Sequence, residues 1–141
     1  MAKKLNVLIV DDAKIMRVNL TRSIEGIGHS IIAEAADGQS SIDAYKKYKP
    51  DLVTMDITMP DMDGITAIKK IKEIDPNLNA IMVTSHGQEP MVMNALKAGA
   101  KGYILKPISP EKLRESIGKI FPELQNEVID ELLDEEETSI C

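Results

Sequence analysis

The chain is expected to fold as an α/β domain built on a doubly wound sheet of five parallel strands. Three observations lead there. Five short apolar runs recur at wide, regular spacing. The stretches between them carry helical periodicity, and the runs lack the alternation of a strand with one wet face, so helices should cover both sides of the sheet. A length of 141 residues fits one domain with a core of its own. With 43% apolar and 28% charged residues the composition is that of a globular protein. Aromatic residues are only 3%, so the core must be built from Ile, Leu, Val, Met and Ala.

The elements can be justified in order. The first strand is read over Leu5 to Val10, and the first helix from Ile15, Val18, Ile24 and Ile27, ended by Gly26 and Gly28. The second strand spans Ser30 to Ala35; Ile42, Ala44 and Tyr45 mark the second helix, closed by Pro50. The third strand is Asp51 to Met55, and Ile65, Ile68 and Ile71 define the third helix up to Asp75-Pro76. The fourth strand is Ala80 to Thr84, followed by a helix with Met91, Val92, Ala95 and Leu96 and with Gly99 as its C-terminal cap. The fifth strand is Gly102 to Leu105; Ser109-Pro110 supplies the cap and first residue of a helix carrying Leu113, Ile117 and Ile120. Five βα units joined by right-handed crossovers make the doubly wound sheet.

The negative charge is unevenly placed. Net charge is −6, but residues 1–121 carry 15 acids and 17 bases, while 122–141 carry eight acids and no base. An acidic end repels phosphate backbones, which argues against nucleic-acid binding. No stretch approaches the roughly 18 apolar residues of a membrane span, and the start of the chain lacks the long apolar core of a signal peptide. The one cysteine, Cys141, allows no internal disulfide, in keeping with a cytoplasmic protein.

In a sheet of this kind ligands bind beyond the carboxyl ends of the strands. Those ends carry Asp11 and Asp12, then Asp56, then Thr84 and Ser85, then Lys106 and Pro107. If the first and third strands are neighbours, three carboxylates converge, which is unfavourable without a cation among them. Hard oxygen ligands point to magnesium. A carboxylate beside such an ion can act as a nucleophile toward phosphorus, with a lysine and a hydroxyl holding the remaining oxygens.

Singly, each residue has a plainer reading: Asp11 or Asp12 as a helix cap, Asp56 as the opening of a turn through Pro60 and Gly64, Ser85 as a cap, Lys106 as a solvated lysine. Their joint placement at four strand ends outweighs these. His29 reads as a surface or edge residue, Tyr45 and Tyr48 as closing the edge of the second helix, and Met16, Met55 and Met82 as core filler.

The stretches VDDAKIMR, VTMDITMPDMDG, MVTS and GYILKP, in that order, closely resemble the receiver domains of two-component response regulators, in particular the small single-domain chemotaxis type. The likeness spans residues 4 to about 121. It implies a flavodoxin-like sheet of order 2-1-3-4-5 and phosphorylation of Asp56 by a histidine kinase. It further implies Mg2+ held by Asp11, Asp12, Asp56 and the backbone carbonyl of Thr58, phosphoryl contacts from Thr84 and Lys106, and a cis bond before Pro107. Tyr103 takes the aromatic switch position: Thr84 moves toward the phosphoryl group and the Tyr103 ring turns inward, altering the face made by the fourth helix, fifth strand and fifth helix. Thr58 and His86 occupy the two places that tune the lifetime of the acyl phosphate. Implied partners are a histidine kinase and a downstream target, such as a flagellar motor switch or a phosphatase, approached by a monomer, with dimerisation on activation left open.

Two other readings compete. A haloacid-dehalogenase-type phosphatase also orders Asp, Thr or Ser, and Lys along such a sheet, but it expects a second Asp where Thr58 stands. An FMN binder would need aromatic residues to sandwich the flavin. The family does not account for 122–141, an acidic extension in which FPELQNEVIDELLDEE has a Leu/Val stripe at helical spacing. A sixth amphipathic helix to about residue 134 is expected, frayed beyond, packing on the domain or docking with a partner.

Overall fold

The structure, a computed structural model, describes residues 4–85, 87 and 89–124, with only the backbone of residue 89. It alternates β1 (Asn6–Val10), α1 (Lys14–Gly26), β2 (Ser30–Ala35), α2 (Gly38–Tyr48), β3 (Leu52–Met55), α3 (Gly64–Ile74), β4 (Ala80–Thr84), α4 (Glu89–Ala98), β5 (Gly102–Leu105) and α5 (Pro110–Ile120). The strands form one parallel sheet of order β2-β1-β3-β4-β5, as expected. The sixth helix expected near the chain end lies outside the described residues, apart from a helical turn at residues 122–124. No helix among the described residues is long and apolar enough to cross a membrane.

The continuous apolar runs are explained by burial on both faces. Val7, Ile9, Leu52, Ile81, Val83 and Ile104 meet Leu20 and Ile24 of α1 and Leu113 and Ile117 of α5. Leu8, Val10, Val53, Met55 and Met82 meet Ile42 of α2, Ile68 and Ile71 of α3 and Ala95 of α4. Each large aliphatic side chain withdrawn from water in this way contributes roughly 1.5–3 kcal/mol. Leu124 is buried in the α1/α5 layer.

Helix ends follow local chemistry. Asp37 accepts a hydrogen bond from the Ser40 N–H (2.7 Å), Asp63 from Thr66 (2.8 Å) and Ser109 from Lys112 (3.2 Å), each satisfying a donor that the first turn leaves unpaired. Gly99 adopts φ +124°, the left-handed conformation that suits glycine just past a helix.

Several side chains depart from the sequence reading. Ile15 is 66% exposed, and Leu20 takes the buried place instead, because α1 presents its 20/24 stripe to the sheet. Leu96 of α4 is also exposed, and Met16 is only half-buried. His29 is buried: its Nδ1 accepts the Leu5 N–H at 3.1 Å, and desolvation holds its pKa below the usual value. Tyr45 belongs to the core, with its hydroxyl donating to Asp75 Oδ2 at 2.7 Å; Tyr48 stays exposed. Helix α4 starts at Glu89, which leaves Ser85 too far upstream to cap it.

Candidate functional site

The site stands at the carboxyl ends of β1, β3, β4 and β5. The Asp11 N–H donates to the Ala35 carbonyl (3.1 Å), extending the ladder one residue beyond β1 and holding Asp11 in the interior, 1% exposed. Its Oδ1 accepts the Ala13 N–H at 2.9 Å, so Asp11 braces the turn into α1 but does not cap the helix; Ala13 occupies the cap position. Asp12 points to solvent. The Asp56 N–H donates to the Val10 carbonyl (3.0 Å), which ties the end of β3 to the end of β1. Carboxylate oxygens of Asp11, Asp12 and Asp56 thereby lie within 4.8 Å of one another.

The loop after Asp56 depends on a close approach. The Gly64 N–H donates to the Ile57 carbonyl (2.8 Å), and a Cβ at Gly64 would collide with the backbone carbonyl of Asp56. Only glycine lets α3 start this near the strand end. On the opposite side the Lys106 N–H donates to the Thr84 carbonyl (2.8 Å), and the Lys106–Pro107 bond is cis. The Lys106 ammonium lies 3.0 Å from Asp11 Oδ2 and 3.9 Å from Asp56 Oδ1, a lysine bridging two acids distant in sequence. Thr84 is fully buried beside it in the sheet.

Electrostatics set Asp56 apart. Burial first, and then the Asp11 carboxylate, push its carboxyl up to about 6, with a smaller contribution from Asp12; Lys106 and the Thr58 N–H, which donates to it, pull the other way. The one lysine does not compensate for three acids. An all-oxygen, anionic donor set made of two buried acids and one exposed acid fits a hard divalent cation such as Mg2+.

The structure thus brings Asp11, Asp12, Asp56 and Lys106 together, with Thr84 at the adjacent strand end and Thr58 on the rim. Tyr103 lies apart from them on β5, paired with Met82 and 45% exposed. His86 lies outside the described residues. Sequence reasoning assigned nothing to Arg17, whose guanidinium donates to the Asp11 carbonyl (2.6 Å) and pairs with Glu34 at 3.2 Å. Its position on the first turn of α1, within reach of the β1 end, was the available signal.

The response regulator receiver domain family matches residues 7–118. The chemotaxis protein CheY of Thermotoga maritima is 49% identical over 114 residues, which cover 81% of this chain and 95% of that protein. CheY of Bacillus subtilis is 48% identical over 113 residues, 80% of this chain and 94% of its own. Among solved structures, the CheX-CheY-BeF3-Mg2+ complex from Borrelia burgdorferi aligns with a TM-score of 0.80 at 42% identity, covering 82% of this chain and 88% of that one. The order of the strands, the acidic cluster at their ends and these matches agree, and the chain belongs to the receiver-domain family of response regulators, resembling CheY.

Proposed function

We propose that the protein is a stand-alone phosphorylation switch that takes a phosphoryl group onto Asp56 from a histidine kinase and reports it to a partner protein in chemotaxis. One observation carries this reading: carboxylates from the ends of β1 and β3 gather within 4.8 Å while Lys106 from the end of β5 bridges Asp11 and Asp56. Asp11, Asp12, Asp56 and the Thr58 carbonyl would hold Mg2+, which neutralises phosphoryl oxygens and aligns the attack when bound.

The rest is done by the chain. An Asp56 carboxylate oxygen attacks phosphorus, the bond from phosphorus to the kinase imidazole nitrogen breaks, and the electron pair returns to the imidazole. The Thr58 N–H steadies the carboxylate, and the Lys106 ammonium, already between Asp11 and Asp56, turns to a phosphoryl oxygen. Thr84 donates its hydroxyl to another oxygen; its movement vacates space into which the Tyr103 ring turns from its exposed position, and the face of α4, β5 and α5 is shifted between two arrangements. The partner prefers one of them. Thr58 and His86 flank the route of a hydrolytic water and set how long the acyl phosphate lasts. On this reading the chain is a switch with self-catalysed chemistry and not a metabolic enzyme. It works in the cytoplasm, and a motor-switch protein or a phosphatase is its target; a CheX-bound CheY among the similar structures favours that class of partner.

Intact-mass spectrometry after incubation with a small acyl-phosphate donor and Mg2+ tests it. The expected result is one phosphoryl group added to the wild type and none to Asp56→Asn or in EDTA. An equal gain in the Asp56→Asn protein would overturn the assignment.

A further inference from the structure

We propose that residues 125–137 of this chain dock, within the same molecule, along the groove between β5 and α5. The groove encloses about 480 Å³ and is lined by Lys101, Tyr103, Leu105, Lys112, Ser116 and Lys119, with Glu115 its one acid. Its floor is apolar and uncovered. Two of the seven large apolar side chains exposed among the described residues, Tyr103 and Leu105, stand two positions apart on β5 in its lining. Scattered apolar residues need no explanation, whereas a contiguous patch does. Strand β5 is also an edge of the sheet.

The rim is basic. The Lys112 ammonium donates to the carbonyls of Leu105 (3.4 Å) and Pro107 (3.1 Å), and that of Lys101 to the Asn79 amide oxygen (2.6 Å). Lys119 is 3.5 Å from Glu115, an i,i+4 pair in open solvent and therefore weak. The segment that follows Leu124 has the complementary character: seven acids, no base, and Val128, Ile129, Leu132 and Leu133 as its apolar residues.

The chain enters the segment at the right place. The Lys112 ammonium meets the Leu105 carbonyl at one end of the groove and Gly102 faces Ser116 further along, so α5 runs back along β5 and Lys101 and Lys119 fall toward the other end. Leu124, buried beneath α5, follows Lys119 by five positions, so the segment starts beside that other end. Thirteen residues in helical form span roughly 20 Å, against roughly 13 Å for the four residues of β5. Nor is the segment part of the shared domain: the Thermotoga relative is 95% covered by a match that takes in only 81% of this chain. A segment seated in the groove covers Tyr103 and Leu105. The consequence, that it competes with a partner for the α4/β5/α5 face, rests on the function proposed above; the docking does not.

Cys141 is the sole cysteine and lies just past the segment, so it accepts a nitroxide without substitution. In the unphosphorylated, 15N-labelled full chain without metal, amides of β5 and of residues 112–119 should lose intensity strongly, and those of β2 and α2 at the opposite edge should not. About 1 M NaCl, where the Debye length is ~3 Å, and separately the double variant Lys101→Glu/Lys119→Glu, should each abolish the loss. Equal broadening at both edges, persistence in high salt or in the variant, or broadening of a 15N chain by a spin-labelled unenriched copy would each overturn docking within one molecule. None of these readouts depends on phosphoryl transfer, so failure here and failure of the mass experiment are separable.

Discussion

Replacing Asp56 by asparagine should make the metal-free protein more stable, although it removes the proposed phosphoacceptor. The Asp56 carboxyl is raised from 3.8 to about 6, by burial first and Asp11 second. The replacement amide keeps an oxygen for the Thr58 N–H and for Lys106, so little is lost with the charge. Between these two values the folded protein binds the Asp56 proton and the unfolded chain does not. Stability contributed by this group therefore falls as pH rises through 4 to 6 and stays lost above it. A shift of about two units corresponds to about 3 kcal/mol, or roughly 10 °C in Tm for a domain of this size. The assay is thermal unfolding by circular dichroism in EDTA at pH 8, repeated at steps down to pH 4. The gap between variant and wild type should be largest at pH 8 and close toward pH 4. Added Mg2+ should raise the wild-type Tm more than that of Asp56→Asn. If the variant melts at or below the wild type at pH 8, the carboxylates are not in electrostatic conflict and the argument for a cation fails.

Other perturbations follow from neighbouring features. Gly64→Ala should cost phosphorylation rate and at least ~2 kcal/mol of stability, since the added methyl forces the Asp56 carbonyl or α3 to shift; denaturant unfolding together with mass-detected phosphorylation reads both. The Thr54 hydroxyl in β3 is buried and makes no hydrogen bond among the described residues, so Thr54→Val should stabilise by about 1 kcal/mol in urea unfolding with no change in slope. His29 accepts the Leu5 N–H only when neutral, and its folded pKa lies below 6.5. Stability should therefore fall as pH drops below about 6.5, and His29→Asn should remove that slope; comparing the two in an Asp56→Asn background keeps the opposing Asp56 titration out of the measurement.

The site was largely legible in the sequence because the fold has a rule for where its strand ends go. Once five apolar runs define a doubly wound sheet, Asp11, Asp56, Thr84 and Lys106 are the residues found at the ends of four of them, and no contact need be known to find them. Helix phase was less legible. Ile15 and Leu20 are equally apolar, and only packing of α1 on the sheet decides that Leu20 is buried and Ile15 is not. His29 was misplaced for a similar reason: it follows a glycine turn, where side chains are usually wet, but the amide it satisfies belongs to Leu5, just before β1.

Composition and pattern alone determined the class of fold and the gathering of acids at its strand ends, because these depend on residue type and local order. The tertiary structure decided distances and environments. Lys106 spans Asp11 and Asp56 only because β1, β3, β4 and β5 stand side by side. Asp56 acquires a carboxyl near 6 only because the loop closed by Gly64 removes it from water beside a second acid. A one-dimensional pattern states which groups are present; solvation and separation, on which charge energies depend, exist only once the chain has folded.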